Sequence, residues 1–238
     1  MCKTSTPSVP SQKERRPSRA SARISKSGSK MQREEERDED EIVCLGESFF
    51  IDRDYQLTTF NFGPHVLNLL CLHSASTDYD LTGQIVWPGA VLLNNYLSQN
   101  AEILEERSVI ELGSGVGITG ILCSRFCHKV VLTDHNEEVL EILKKNIELQ
   151  SSSRNLSCGD NAGIPLLFET VESILRFRSG QCTFILAYVS RAKVMDVMVI
   201  DEAVHHGMDV KEVKDTRSII SNLEGVIFEI TLKQTSEL

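Results

Sequence analysis

An α/β fold built on a Rossmann-like parallel sheet is predicted by three observations. The first is an apolar run, Val109-Ile-Glu-Leu112, expected to be a buried parallel strand, that passes at once into glycines at alternate positions, Gly113, Gly115 and Gly117. The second is the apolar, helix-like segment that starts directly behind them at Ile118. The third is a further strand, Lys129-Val-Val-Leu-Thr133, closed by Asp134. Strand, tight glycine turn and helix N-terminus together make a site where ligand atoms approach the backbone and meet its N–H groups. An acid about 20 residues beyond such glycines is where nucleotide folds place a carboxylate against ribose hydroxyls.

The chain of 238 residues has room for one such domain with extensions, and at 41% apolar it can bury a sizeable core. No run reaches the ~18 apolar residues of a membrane span, and the N-terminus lacks an apolar signal-peptide core. The net charge of −9 argues against nucleic acid as the partner. Seven scattered cysteines, an odd number, suit reduced thiols inside a cell, so a cytoplasmic location is expected, with the nucleus as a second compartment. Cys123, Cys127 and His128 lie close together but lack further ligands at metal spacing, and His205 and His206 read as helix-end residues; no metal site is expected.

Taken in order, residues 1–41 read as a disordered tail with almost no large apolar side chains. Its charge is blocky: residues 3–33 carry nine Lys or Arg against Glu14, and residues 34–41 carry seven acids and Arg37. A solvated tail is the expectation, with a nuclear or organelle-targeting segment as the alternative. Residues 47–86 form a β-rich extension. Phe49-Phe50-Ile51, Tyr55–Phe62 and Val66–Leu72 are its short strands, divided by Asp, Asn, Gly and Pro turns. Residues 87–238 form the main domain. Pro88 opens a helix with Val91, Leu92 and Tyr96 on one stripe. Asn136–Leu149 is a helix with Glu137 and Glu138 in its first turn. Arg154–Cys158 is a short third strand, Pro165–Arg178 a helix, and Cys182–Tyr188 a buried strand by its unbroken apolar run. Met195–His206 is a helix stopped by Gly207, and Met208–Val213 with Val226–Leu232 close the chain as a strand pair.

The spacing fits a dinucleotide site poorly, because G-x-G-x-x-G requires glycine where Ile118 stands. Glu111-x-Gly113-x-Gly115-x-Gly117 instead resembles motif I of class I, S-adenosylmethionine-dependent methyltransferases. The string Gly83-x-x-Val86-Trp87-Pro88, about 25 residues upstream, together with motif I and Asp134, resembles the methyltransferase family 16 proteins. These are seven-β-strand enzymes, many of which methylate lysine in other proteins. The run Ile185-Leu-Ala-Tyr-Val-Ser-Arg191 and the terminal Gly225-Val-Ile-Phe-Glu-Ile230 are also similar to that family. The resemblance implies S-adenosyl-L-methionine as cofactor, a protein substrate and a monomeric enzyme. It implies Trp87 at the methionine part of the cofactor, Glu111, Gly113, Ser114, Gly115 and Gly117 in motif I, and Asp134 on the ribose. It identifies no catalytic residue in this chain.

One piece of that fold does not fit. The family's fourth strand lies beside the first and the fifth, and it ends in an Asp-x-x-Tyr-like motif at the mouth where lysine enters. Between Cys158 and Ile164 only five residues intervene, whereas a parallel strand needs ~5 residues after a crossover of a dozen or more. Strand four is therefore expected to be missing, and Asp160 reads as sequence at a junction. Its absence leaves the first strand either to pair directly with Cys182–Tyr188 or to lose its partner. Function is then expected to be protein-lysine methyl transfer, with a non-catalytic, cofactor-binding or protein-binding form as the alternative. An NAD-dependent oxidoreductase is disfavoured by Ile118 and by Trp87 with Pro88, and a nucleic-acid methyltransferase stays open through the basic tail, although no Asn/Asp-Pro-Pro-aromatic motif for amino-group methylation is present.

The tail offers almost no apolar surface to offset an ordering cost of ~1–2 kcal/mol per residue. Deleting residues 1–41 is expected to move the thermal unfolding midpoint by less than about 2 °C. A large fall in that scan would show that the tail docks on the domain.

Overall fold

The computed structural model describes residues 51–75, 78–150, 155–160, 167–178 and 181–233. The tail, Phe49-Phe50 and most of the interval from Cys158 to Ile164 lie outside the described residues. The described residues all fall in one compact unit.

An antiparallel hairpin, β1 (Gln56–Phe62) and β2 (His65–Cys71), opens the described chain. Residues Asp78–Gln84 make a 3-10 segment, and α1 (Pro88–Gln99) follows with Trp87 as its extended N-cap and Pro88 at its first position. Next come β3 (Ser108–Leu112), α2 (Ile118–Cys123), β4 (Lys129–Asp134), α3 (Glu137–Leu149) and β5 (Leu156–Asp160). The three strands form a parallel sheet in the order β3-β4-β5. The helix α3 starts where the sequence places it, because the Asn136 side chain accepts the Val139 N–H. Its apolar stripe, including Leu140 and Leu143, enters the first core with Ile121, Leu122, Val130 and Leu132.

The second half contains α4 (Leu167–Phe177), β6 (Phe184–Val189), α5 (Lys193–His205), β7 (Met208–Glu212), β8 (Ser218–Ile220) and β9 (Leu223–Leu232). Its sheet is antiparallel, with β9 between β6 and β7 and with β8 also on β9. A separate core of Phe168, Val171, Leu175, Met208, Phe228 and Ile230 lies beneath it, with Leu112 at the end of β3 packed against that core. The strand β8 escapes the sequence reading. Ser221 and Asn222, both at positive φ, form the two-residue turn joining it to β9, and that turn pulls Ser218–Ile220 into the ladder.

Two expectations are corrected at the junction of the halves. The first strand was expected to be buried, yet β3 ends its sheet and Ile110 is 53% exposed. The strand Cys182–Tyr188 was expected to be buried as well, yet β6 ends the other sheet and each of its residues is only half-buried. The physical reason is shared: each strand has one neighbour, and among the described residues no strand lies between them and they do not pair with each other. Direct pairing of the two strands is therefore not the outcome in this structure. The third strand is also displaced from Arg154–Cys158, beginning two residues later at Leu156. It runs on through Gly159 and Asp160, because β4 offers pairing positions as far as Thr133 and Asp134.

Helix α1 holds the halves together. It packs on α2 on one side and on β6 and β9 on the other. A side chain at Gly89 would crowd the Ala187 carbonyl, and one at Gly225 would crowd Leu92. Asn94 on this helix is fully buried, and its amide has no hydrogen-bond partner among the described residues, a deficit of about 1–3 kcal/mol.

The open edge of β3 predicts a contrast between two neighbouring strands. Ile110→Thr should cost less than about 1 kcal/mol in denaturant unfolding, whereas Leu132→Ala, at a position with 0% exposure on β4, should cost ~2–5 kcal/mol. Equal losses would place Ile110 in a closed sheet.

Candidate cofactor site

The loop between β3 and α2 is held by hydrogen bonds to the end of β4. The Ser114 N–H donates to the Thr133 carbonyl at 2.8 Å, and the Thr133 N–H donates to the Ser114 hydroxyl at 2.9 Å. The Thr133 hydroxyl donates to the Glu111 carbonyl at 2.8 Å. The Gly115 N–H donates to Asp134 Oδ2 at 2.9 Å, and Asp134 Oδ1 accepts the N–H groups of His135 and Asn136 at 2.8 and 3.2 Å. A carboxylate has about four acceptor positions, so three donors leave Asp134 about one for a hydroxyl.

The three motif glycines divide their work. A Cβ on Gly115 would lie 2.7 Å from the Gly83 carbonyl oxygen, so this glycine admits the backbone of the 3-10 segment. A Cβ on Gly117 would run into Leu143 and Leu132, so this glycine faces the core. Around a Cβ built on Gly113 there is open space for 4 Å, and its φ of +62° is one that L side chains rarely adopt. Gly113, at the carboxyl end of β3, is the glycine that faces outward. Ligands of open α/β sheets bind at such strand ends.

Trp87 is tied to this loop through its neighbours. Its indole N–H donates to the Thr82 carbonyl at 3.0 Å, and Thr82 precedes the Gly83 that packs against Gly115. Trp87, Gly113, Ser114, Gly115 and Asp134 are thereby gathered at the ends of β3 and β4. The Glu111 carboxylate turns away from the open side, accepting the Gly120 N–H at 2.8 Å beneath α2. Burial raises its pKa from 4.5 to about 7, with a smaller contribution from the Asp134 charge, against the opposing hydrogen bond from Gly120.

A second polar cluster stands at the end of β6. Asp196, in the first turn of α5, accepts the Tyr188 phenol at 2.8 Å and the Ser190 hydroxyl at 2.9 Å. Burial, with the hydrogen bond to Asp196, pushes the Tyr188 phenol up to about 12. The guanidinium of Arg191 lies 4.2 Å from the centre of the Trp87 ring. The sequence reading marked the run ending at Arg191 without assigning it a role, because nothing local in that run reports a contact with residue 87. Thr82 and Thr133 were missed for the same reason. Among the described residues no cluster could hold a metal ion, and His206 instead meets Glu172 at 2.7 Å.

An S-adenosyl cofactor fits this arrangement. The fit rests on the open space outside Gly113, on the acceptor position left on Asp134, and on the aromatic wall of Trp87 tied to the same loop.

Comparison with known proteins agrees with this reading. Residues 70–159 match a family model described as lysine methyltransferase. Mouse protein N-lysine methyltransferase METTL21A is 35% identical over 94 residues, covering 39% of this chain and 40% of that protein. Human protein-lysine N-methyltransferase EEF2KMT is 33% identical over 82 residues, covering 34% and 25%. Mouse methyltransferase-like protein 22 is 32% identical over 79 residues, covering 33% and 20%. The matches thus span between a fifth and two fifths of these relatives' lengths. The solved structure of PH0793 from Pyrococcus horikoshii shares the fold, with a TM-score of 0.50 at 12% identity over 75% of this chain and 72% of that one.

The raised pKa of Glu111 carries a stability signature. The folded state keeps the proton that the unfolded chain loses above pH 4.5, so stability falls as pH rises from about 4.5 to about 7, by ~3 kcal/mol in all. Glu111→Gln should remove that slope in thermal unfolding between pH 5 and pH 8. Parallel curves for the variant and the parent would show that Glu111 ionises normally.

The parallel strands β3-β4-β5, the glycine loop and the matched relatives converge, and across residues 70–159 this chain is similar to lysine methyltransferases, on an α/β fold with a parallel sheet.

Proposed function

We propose that this chain binds S-adenosyl-L-methionine at the β3–α2 loop and belongs to the machinery of protein-lysine methylation. The observation that carries the reading is the chain of contacts from Trp87 through Thr82 and Gly83 to Gly115 and Asp134. When bound, the cofactor supplies an electrophilic methyl group on its sulfonium. In this reading Gly113 leaves room for the cofactor, Asp134 spends its remaining acceptor position on a ribose hydroxyl, and Trp87 walls the methionine part. Ser114 holds the loop in register with β4, while Glu111 and Gly117 support it from the core side.

The acceptor side supports a second reading for this chain, in which the cofactor is bound without turnover. Both strands that should flank the family's lysine-orienting segment end their sheets, and no described strand stands between them. Catalysis by positioning requires donor and amine to be held together, and the residues that would orient the amine are not among those described. We therefore propose weak or absent methyl transfer by the chain as it stands, in the cytoplasm. The seven scattered cysteines, an odd number, support a reducing compartment.

Two measurements test this. Calorimetry with S-adenosylhomocysteine should show binding by the parent chain and at least ~10-fold weaker binding by Asp134→Ala, which loses both the loop clamp and the hydroxyl acceptor. Gly113→Asn should abolish binding while keeping the fold, since asparagine tolerates positive φ and meets open space here. Unchanged affinity in both variants would remove this loop from the cofactor site. In the second measurement, labelled cofactor and cell lysate are given to this chain and to a version with the family's fourth-strand segment inserted after Cys158. Labelling should appear only with the insertion, and equal labelling by both would show that the segment is dispensable.

A further inference from the structure

The stack of Arg191 on Trp87 joins the two halves of the fold at the cofactor site. Trp87 leads into α1 and is fixed by its indole N–H on the Thr82 carbonyl at 3.0 Å. Arg191 follows Ser190, whose N–H donates to the Glu224 carbonyl at 2.8 Å and whose hydroxyl donates to Asp196 at 2.9 Å. Both backbones are therefore anchored where the guanidinium carbon comes within 4.2 Å of the ring centre. That geometry is a cation–π contact, made here by an exposed arginine over a half-buried indole.

The face of an indole is a cation site whatever cation occupies it. The methyl donor carries a positive sulfonium, whereas its demethylated product carries a neutral thioether; the two ligands are otherwise the same. A guanidinium already over the ring takes the attractive position and sets a like charge beside any second cation. Resting on the cofactor reading above, we propose that the Arg191–Trp87 pair is a specificity device. Arg191 holds the cation-binding face of Trp87 and thereby biases the site against S-adenosylmethionine and toward S-adenosylhomocysteine. Arg191 reaches the ring from the half of the fold that lies across the open interval between β3 and β6, so the bias belongs to this arrangement of the two halves.

Trp87 is the sole tryptophan of the chain, so its fluorescence reports on this contact directly. Dissociation constants for S-adenosylmethionine and S-adenosylhomocysteine would be measured on the full chain, on Arg191→Met and on Arg191→Lys, with circular dichroism confirming the fold. In Arg191→Met the ratio of the two constants should move ~2- to 5-fold in favour of S-adenosylmethionine, the size of an exposed cation–π contact. Arg191→Lys, which keeps the charge and loses the planar stack, should fall between. The emission of ligand-free Arg191→Met should also differ from that of the parent. A structural role alone would weaken both ligands in step, and an unchanged ratio overturns the proposal. So does an equal loss for both, which would make Arg191 a binding partner of a group the two ligands share. Failure of the parent chain to bind either ligand would overturn the cofactor reading and this proposal with it, a result visible before any substitution is made.

Discussion

The exchange of hydrogen bonds between Ser114 and Thr133, extended by Asp134 to Gly115, is the interaction on which the site depends. It fastens the glycine loop to the end of the neighbouring strand, so the loop is shaped by the sheet and not by a ligand. Each neutral bond contributes about 0.5–1.5 kcal/mol net, and the charged acceptor contributes more. Their shared consequence is positional. With Gly115 set, Gly83 can seat against it, the Thr82 carbonyl is presented to Trp87, and α1 departs in the direction that reaches the second half.

The second half is organised differently. It has its own core and its own antiparallel sheet, and it meets the first through α1, through Leu112, and through Arg191 on Trp87. Two cores in one unit of this size leave the strands that face each other poorly covered, which is why an isoleucine in the middle of β3 stands half in water. Under the proposed function the donor side is built on the first half, where the strands pair in register and the relatives match, with Arg191 reaching it from the second. The acceptor side would have to be built from the interval between the halves.

Much of the first half was legible because its signals are local. Glycines after an apolar run, Pro88 ahead of an apolar stripe and Asn136 with two acids behind it each specify their element within a few residues, and β3, α1 and α3 lie where those signals place them. The two strands of the β1–β2 hairpin were legible as short runs divided by Asn, Gly and Pro residues, and the structure pairs them. Motif I was legible as a loop, but its three glycines look alike in sequence. Only packing separates Gly113, which faces open space, from Gly115 against Gly83 and Gly117 against Leu143.

The sequence alone determined the fold class, the order of the elements other than β8, and the glycine loop proposed for the cofactor, because strand, turn and cap preferences act over short distances. Tertiary structure decided what depends on neighbours far along the chain. It set the exposure of Ile110, the half-burial of β6, the turning of Glu111 toward Gly120, and the meeting of residues 87 and 191. An apolar run states that a strand can be buried. Whether it is buried rests on a second strand being there to cover it, and that is a property of the assembled sheet.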